Sequence, residues 1–187
     1  GNVTDPVRRE YLGMVSALDE SVGRIVDKLK ENRMYDDSLV VFTSDNGGQD
    51  TCGSNNHPLR GAKFTLWEGG TRIVTIASGG VVPNKGQIRD GLFHIVDWYA
   101  TLMGIGGVEN GIHDCETVKL DSVDQREMIL GGGVSKRNDF IYNLDTRTDT
   151  SIPHVTGYAA YRYGDYKLII GPTGVGALWV RRDLLEG

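Results

Sequence analysis

VVFTSDNGGQDTCGSNNHPLRGAKFTLWEGGTR, residues Val40 to Arg72, is the stretch on which the reading of the fold turns. Leu39 to Ser44 is a run of strand formers that stops abruptly at Asp45-Asn46-Gly47-Gly48. A continuous apolar run suits a strand covered on both faces, the situation of a strand within a parallel sheet, better than an alternating surface strand. A strand that ends in a carboxylate, an amide and two glycines puts polar chemistry where loops concentrate function.

Working outward, Asp5-Pro6 opens a helix with an acidic cap and a proline whose missing N–H costs nothing at the first helical position. Val7, Tyr11, Val15, Leu18, Val22, Ile25, Val26 and Leu29 recur in steps of three and four, predicting one amphipathic helix that ends near Asn32. Met34 to Ser38 is an acidic turn. A second strand is expected at Thr71 to Ala77, after the Gly69-Gly70 break, and a shorter helix over Ile95 to Met103 that stops at Gly104, Gly106 and Gly107. This order predicts an α/β layer fold, in which ligands gather beyond the carboxyl ends of strands. Asp45-Asn46 lies at such an end.

Beyond Gly107 the character changes. Asn110 to Arg137 is polar and irregular, predicting a linker with one short helix around Ser122 to Leu130. Phe140 to Leu144, Tyr158 to Tyr163 and Tyr166 to Ile170 read as strands, and Gly164-Asp165 as a two-residue hairpin turn with glycine where a positive φ is required. The expected architecture is an α/β unit over residues 1–107, followed over 108–187 by a linker and a small antiparallel-sheet subdomain.

The 187 residues, 39% apolar, suffice for an ordinary core. A formal net charge of −5 leaves no basic footprint for nucleic acid. No apolar run approaches the ~20 residues of a membrane span. No charged-then-apolar leader opens the sequence, although a first residue other than Met leaves room for a longer protein. Asn2-Val3-Thr4 is a glycosylation sequon, a pointer to secretory passage that also arises by chance. Cys52 and Cys115 could pair, bind a partner or stay free.

Asp45 and Asn46 offer hard oxygen ligands suited to Ca²⁺ or Mg²⁺. The same four residues from Asp45 to Gly48 also favour plain turns, and two oxygens cannot complete a shell of six to eight. Lys63 and Arg60 follow in the same loop. Cations beside a metal suit an oxyanionic substrate such as a sulfate or phosphate ester, and solvated surface charge is the plainer alternative. His57, before Pro58, reads as a loop-packing residue or a substrate contact. His94, His113 and His154 have no metal-like spacing. Gly171 to Gly176 lacks dinucleotide-fingerprint spacing, Gly131 to Lys136 lacks Walker spacing, and no Gly-x-Ser-x-Gly elbow exists. Nothing in the chain reads as an activated nucleophile.

The segments YLGMVSALDESVGRIVDKLKE, VVFTSDNGG, NNHPLRGAKFTLWEGGTR, HIVDWYATL and YAAYRYGDYKLI, running in order from Tyr11 to Ile170, resemble the carboxyl-terminal half of a type I sulfatase, nearest to the arylsulfatase B (N-acetylgalactosamine-4-sulfatase) group. That resemblance implies an alkaline-phosphatase-like fold, present here in part: a mostly parallel mixed sheet flanked by helices, then a small antiparallel sheet. It implies one Ca²⁺, held partly by Asp45 and Asn46, with Lys63 on the substrate sulfate; His57 stays the candidate substrate contact read from its loop. It implies a formylglycine nucleophile made from Cys-x-Pro-x-Arg, a string this sequence lacks, so that nucleophile and catalytic histidine would lie upstream. Glu68 and Arg72 would buttress the loop, and Ala100 stands where relatives commonly carry Pro. The implied substrate is a sulfate ester, with sulfated glycosaminoglycan amino sugars suggested by the branch, and the implied location is lysosomal or secreted. A phosphatase or phosphodiesterase of the same superfold, or a non-catalytic paralogue binding sulfated glycans, are the alternatives.

Overall fold

The computed structural model describes residues 3–108, 120–144, 159–170 and 176–180. Asn2 of the sequon, His113, Cys115, His154 and residues 171–175 lie outside the described residues.

Helix α1 spans Pro6–Glu31. Its ends follow from its caps: Asp5 accepts from the Val7 amide, and Asn32 closes the helix through bonds to carbonyls of its last turn. Its apolar stripe is only partly covered. Tyr11, Val22, Val26 and Leu29 are half-buried, whereas Val7, Val15, Leu18 and Ile25 stay open to solvent among the described residues. A 3₁₀ turn at Tyr35–Asp37 then leads into strand β1, Val40–Thr43.

Strand β1 pairs with β2, Thr75–Ser78, with Val40 opposite Ser78 and Thr43 opposite Thr75. The pairing is antiparallel, which corrects the parallel neighbour expected from the apolar run. Both strands are half-buried or exposed, not covered on both faces. The apolar pattern reported which residues avoid water, and it holds no information about a partner's direction. The start of β2 also differs from expectation. Glu68–Thr71 is a single turn of helix, α2, so the chain turns extended only afterwards.

Helix α3 covers Asp97–Ile105 and ends at Gly106. Residues 120–137, expected to be a linker, are bonded firmly onto it. The Ala100 amide donates to Ser122 Oγ at 2.9 Å, the Gln125 amide to Thr101 Oγ1 at 3.0 Å, and the Val123 amide to Asp97 Oδ1 at 2.9 Å. Arg137 closes the clamp with two bonds to the fully buried Asp97 carboxylate, at 2.7 and 2.5 Å. The helix expected near Ser122 to Leu130 is shorter, a π turn at Glu127–Gly131.

The second sheet is antiparallel in the order β3-β4-β5-β6: Asp139–Leu144, Ala159–Tyr163, Tyr166–Ile170 and Gly176–Val180. Gly164, at φ 53°, turns the two-residue β4–β5 hairpin as its sequence predicts. The fourth strand, β6, is an addition that the sequence reading missed. Alternation along β4 and β5 sends Ala160, Arg162, Lys167 and Ile169 inward and leaves Tyr161, Tyr163, Tyr166 and Leu168 outward.

Candidate functional site: the β1 end and its returning loop

The chain leaves β1 under tight backbone control. The Ser44 amide still bonds across to the Val74 carbonyl at 3.0 Å, and Ser44 Oγ donates to the Asn46 carbonyl at 2.8 Å. Asp45 Oδ1 accepts from the Asn46 amide at 2.8 Å, and Asn46 Nδ2 donates to the Gly47 carbonyl at 2.9 Å. These bonds leave Asp45 Oδ2 and Asn46 Oδ1 as acceptors that no described group uses. The corner is built as a turn in which each of the two side chains bonds its local backbone through one atom.

The returning loop is stitched to this corner. Asn56 brackets Gly48, accepting from its amide and donating to its carbonyl, both at 2.8 Å. The Lys63 amide donates to the same carbonyl at 3.0 Å, which carries Lys63 next to the strand end although it lies many residues downstream. Gly47 donates to the Gly70 carbonyl at 2.9 Å. That approach demands glycine: a Cβ on Gly47 would run into the Gly69 carbonyl oxygen and sit 2.7 Å from its carbon. Phe64, following Lys63, holds a positive φ of 75°, a strained conformation for an aromatic residue and of the kind that collects at functional sites.

Asp45, Asn46 and Lys63 line one open cavity of about 360 Å³. The sequence reading had these three residues but not their neighbours in the wall. Tyr11 comes from α1, Gln49 from the loop, and Ser54 brings a buried hydroxyl with no hydrogen-bond partner among the described residues. Two other nominated residues sit elsewhere. Arg60 stacks its guanidinium 3.9 Å from the centre of the Trp67 ring, a contact within the loop, and does not line the cavity. His57 is exposed before a cis Pro58, its amide held by Asn55 Oδ1 at 2.9 Å, and it too is absent from the wall. Cys52 lines the cavity and is unpaired among the described residues.

The model of the Sulfatase family matches residues 2–108, more than half of the chain. The chain belongs to the sulfatase family. Arylsulfatase J of Mus musculus is 42% identical over 138 residues, covering 74% of this sulfatase chain and 22% of that protein. N-acetylgalactosamine-6-sulfatase of Canis lupus familiaris is 33% identical over 144 residues, covering 74% of this chain and 27% of its own. Among solved structures, Ps i-CgsB in complex with k-i-k-neocarrahexaose superposes with a TM-score of 0.77 at 27% identity, over 95% of this chain and 37% of that one. The PsFucS1 sulfatase from Pseudoalteromonas sp. gives 0.66 at 29% identity, over 88% and 33%. The fold is thus the alkaline-phosphatase-like sulfatase fold in part, and the chain spans about a quarter of the curated relatives' length.

The donor chemistry fits a share of a calcium shell. A carboxylate and an amide oxygen are the ligand types calcium takes, and the orphaned Ser54 hydroxyl is a further oxygen in the same wall. Among the described residues no three His, Cys, Asp or Glu side chains gather in a group that could hold a metal. None of the described helices is long and apolar enough to cross a membrane.

Proposed function

We propose that this chain supplies the calcium-facing, sulfate-facing corner of a larger sulfatase that hydrolyses sulfate esters. The observation that carries the reading is the convergence of Asp45, Asn46 and Lys63 on one cavity, in a chain whose family is the sulfatases. Calcium, when bound, supplies positive charge to the sulfate oxygens. Asp45 and Asn46 would hold that cation through their side-chain oxygens, and the Lys63 ammonium would offset negative charge on the sulfate as the ester bond breaks. The formylglycine nucleophile belongs to a different segment, because no Cys-x-Pro-x-Arg string occurs in the 187 residues. The uncovered stripe on α1 supports the same view, since an apolar face of this extent suits packing against further protein.

Within the family we read the chain as nearest to the arylsulfatase B group, acting on sulfated amino sugars of glycosaminoglycans in a lysosomal or secreted setting. The relative named N-acetylgalactosamine-6-sulfatase supports the sulfated-sugar class, and the one named arylsulfatase supports sulfate esters in general. The test is hydrolysis of an aryl sulfate beside an aryl phosphate by the complete protein. Sulfate turnover that calcium chelation abolishes, and that Lys63→Ala lowers by about 100-fold or more in kcat/KM, is expected. Preference for the phosphate, or a Lys63→Ala enzyme of normal activity, refutes the reading.

A further inference from the structure

Lys167 is an improbable residue to find buried. It sits on β5 with 1% of its surface exposed, and its ammonium donates at 3.0 Å to Glu68 Oε1 and at 3.0 Å to Thr71 Oγ1. Its Nζ also lies 3.7 Å from the centre of the Tyr142 ring, and Tyr142 occupies the bulge where β3 slips against β4. Arg162, on the neighbouring strand and itself buried, brings a second cation to the same Glu68 oxygen at 3.6 Å. Burial of three charged groups, Lys167, Glu68 and Arg162, in one place is expensive, and a simpler apolar contact would hold the sheet equally well. The arrangement calls for a reason other than bulk stability.

The reason lies on the other side of α2. Glu68 and Thr71 are its first and last residues. Between them, the Gly70 carbonyl accepts the Gly47 amide, and the Gly69 amide donates to the Arg60 carbonyl at 2.7 Å. Gly47 directly follows Asp45-Asn46, and Lys63 hangs from the Gly48 carbonyl. An unbroken path of short hydrogen bonds thus runs from the antiparallel sheet through one helical turn to both halves of the candidate site. Gly69 and Gly70 have no room for side chains, since a Cβ on either would strike loop carbonyls, so α2 cannot shift without moving that loop.

We propose that the Lys167–Glu68 pair is a positioning device: the small antiparallel sheet uses it to fix the attitude of α2, and through Gly47 and Gly48 the relative placement of Asp45, Asn46 and Lys63. Lys167 touches neither substrate nor cation; it acts through Glu68 and Thr71. This inference rests on reading the strand end as the calcium and sulfate site, and it adds that the site's geometry is set by the second sheet.

The experiment compares Lys167→Met, Glu68→Gln, the double variant and the isosteric Thr71→Val with Arg137→Met in the complete protein. Arg137 serves as control because it forms a doubly bonded ion pair with the fully buried Asp97 that, among the described residues, has no bonded path to the loop. Three quantities are read at one temperature well below all unfolding midpoints: calcium affinity by calorimetry, amide exchange at Gly47 and Lys63, and kcat and KM separately on an aryl sulfate. Lys167→Met and Glu68→Gln should each weaken calcium at least tenfold and speed exchange at those two amides at least tenfold. The double variant should be no worse than either single, and Thr71→Val, which removes only a hydroxyl, should show the same changes at smaller size. Arg137→Met should lower the unfolding midpoint and leave calcium affinity and both amides within twofold. If the Lys167 and Glu68 variants behave like the Arg137 control, the pair only stabilises and the proposal is wrong. If the unaltered protein binds no calcium, the reading of the site fails while the exchange rates at Gly47 and Lys63 still decide the positioning claim.

Discussion

Gly47→Ala is the substitution whose cost can be worked most directly from the geometry. The added Cβ would overlap the Gly69 carbonyl oxygen and lie 2.7 Å from Gly69 C and 2.9 Å from Gly70 Cα, all backbone atoms with no rotamer to escape into. Relief requires the Asp45–Gly48 corner and α2 to separate. Separation stretches the 2.9 Å bond from the Gly47 amide to the Gly70 carbonyl, a loss of about 1 kcal/mol. Overpacking against an unyielding neighbour adds about 1–3 kcal/mol. The expected destabilisation is therefore about 2–4 kcal/mol, the sum of these two effects. Urea denaturation of the complete protein measures it, and a calcium titration of the folded variant at low temperature reads the accompanying displacement of Asp45 and Asn46. A variant destabilised by less than about 0.5 kcal/mol, the scatter of ordinary surface substitutions, with unchanged calcium affinity, would refute the close-approach argument.

Other outcomes follow from the same structure. Gly13 lies inside α1 with nothing within 4 Å of where its Cβ would be, so Gly13→Ala should stabilise by about 0.5–1 kcal/mol in the same denaturation assay. Arg137→Met strips the buried Asp97 of its cation and should cost about 3 kcal/mol, the low end for a broken buried pair, because the His94 and Val123 amides still hold the carboxylate. His94 is held below its ordinary value of 6.5, first by burial and then by the nearby Arg137 cation. Between that lowered value and 6.5 the unfolded chain binds more protons than the native one. The stability from neutral His94 is thus complete above pH 6.5 and lost as pH falls through the lowered value, so urea stability should drop less between pH 7.5 and 5.5 in His94→Gln than in the parent. Equal drops would contradict the assignment.

The features legible in the sequence were those whose cause is local. The α1 boundaries came from Asp5-Pro6 and Asn32, and the β4–β5 hairpin from Gly164-Asp165, because caps and tight turns are decided by neighbours in the chain. Asp45, Asn46 and Lys63 were legible as candidates, since strand end, oxygen ligands and ammonium stand within one short stretch. Features set by distant partners were hidden. Lys167 and Arg162 look like solvated charges on a hairpin until Glu68, 99 residues from Lys167, comes into contact. The polar run from Ser122 to Arg137 reads as a linker because nothing local reveals that Asp97 and Thr101 will bond it. Gly69-Gly70 reads as a break when it is a site of close backbone approach, and the direction of β2 beside β1 has no local sign at all.

The claim beneath the whole account is that Asp45, Asn46 and Lys63 serve one ligand together. A crystal structure of the complete protein grown with calcium and soaked with a sulfate ester measures it directly. The account predicts a calcium ion about 2.3–2.6 Å from a carboxylate oxygen of Asp45 and from Asn46 Oδ1, with Lys63 Nζ within about 3 Å of a sulfate oxygen that the same ion touches. A cation bound without either Asp45 or Asn46, or Lys63 turned away from the bound sulfate, would contradict it.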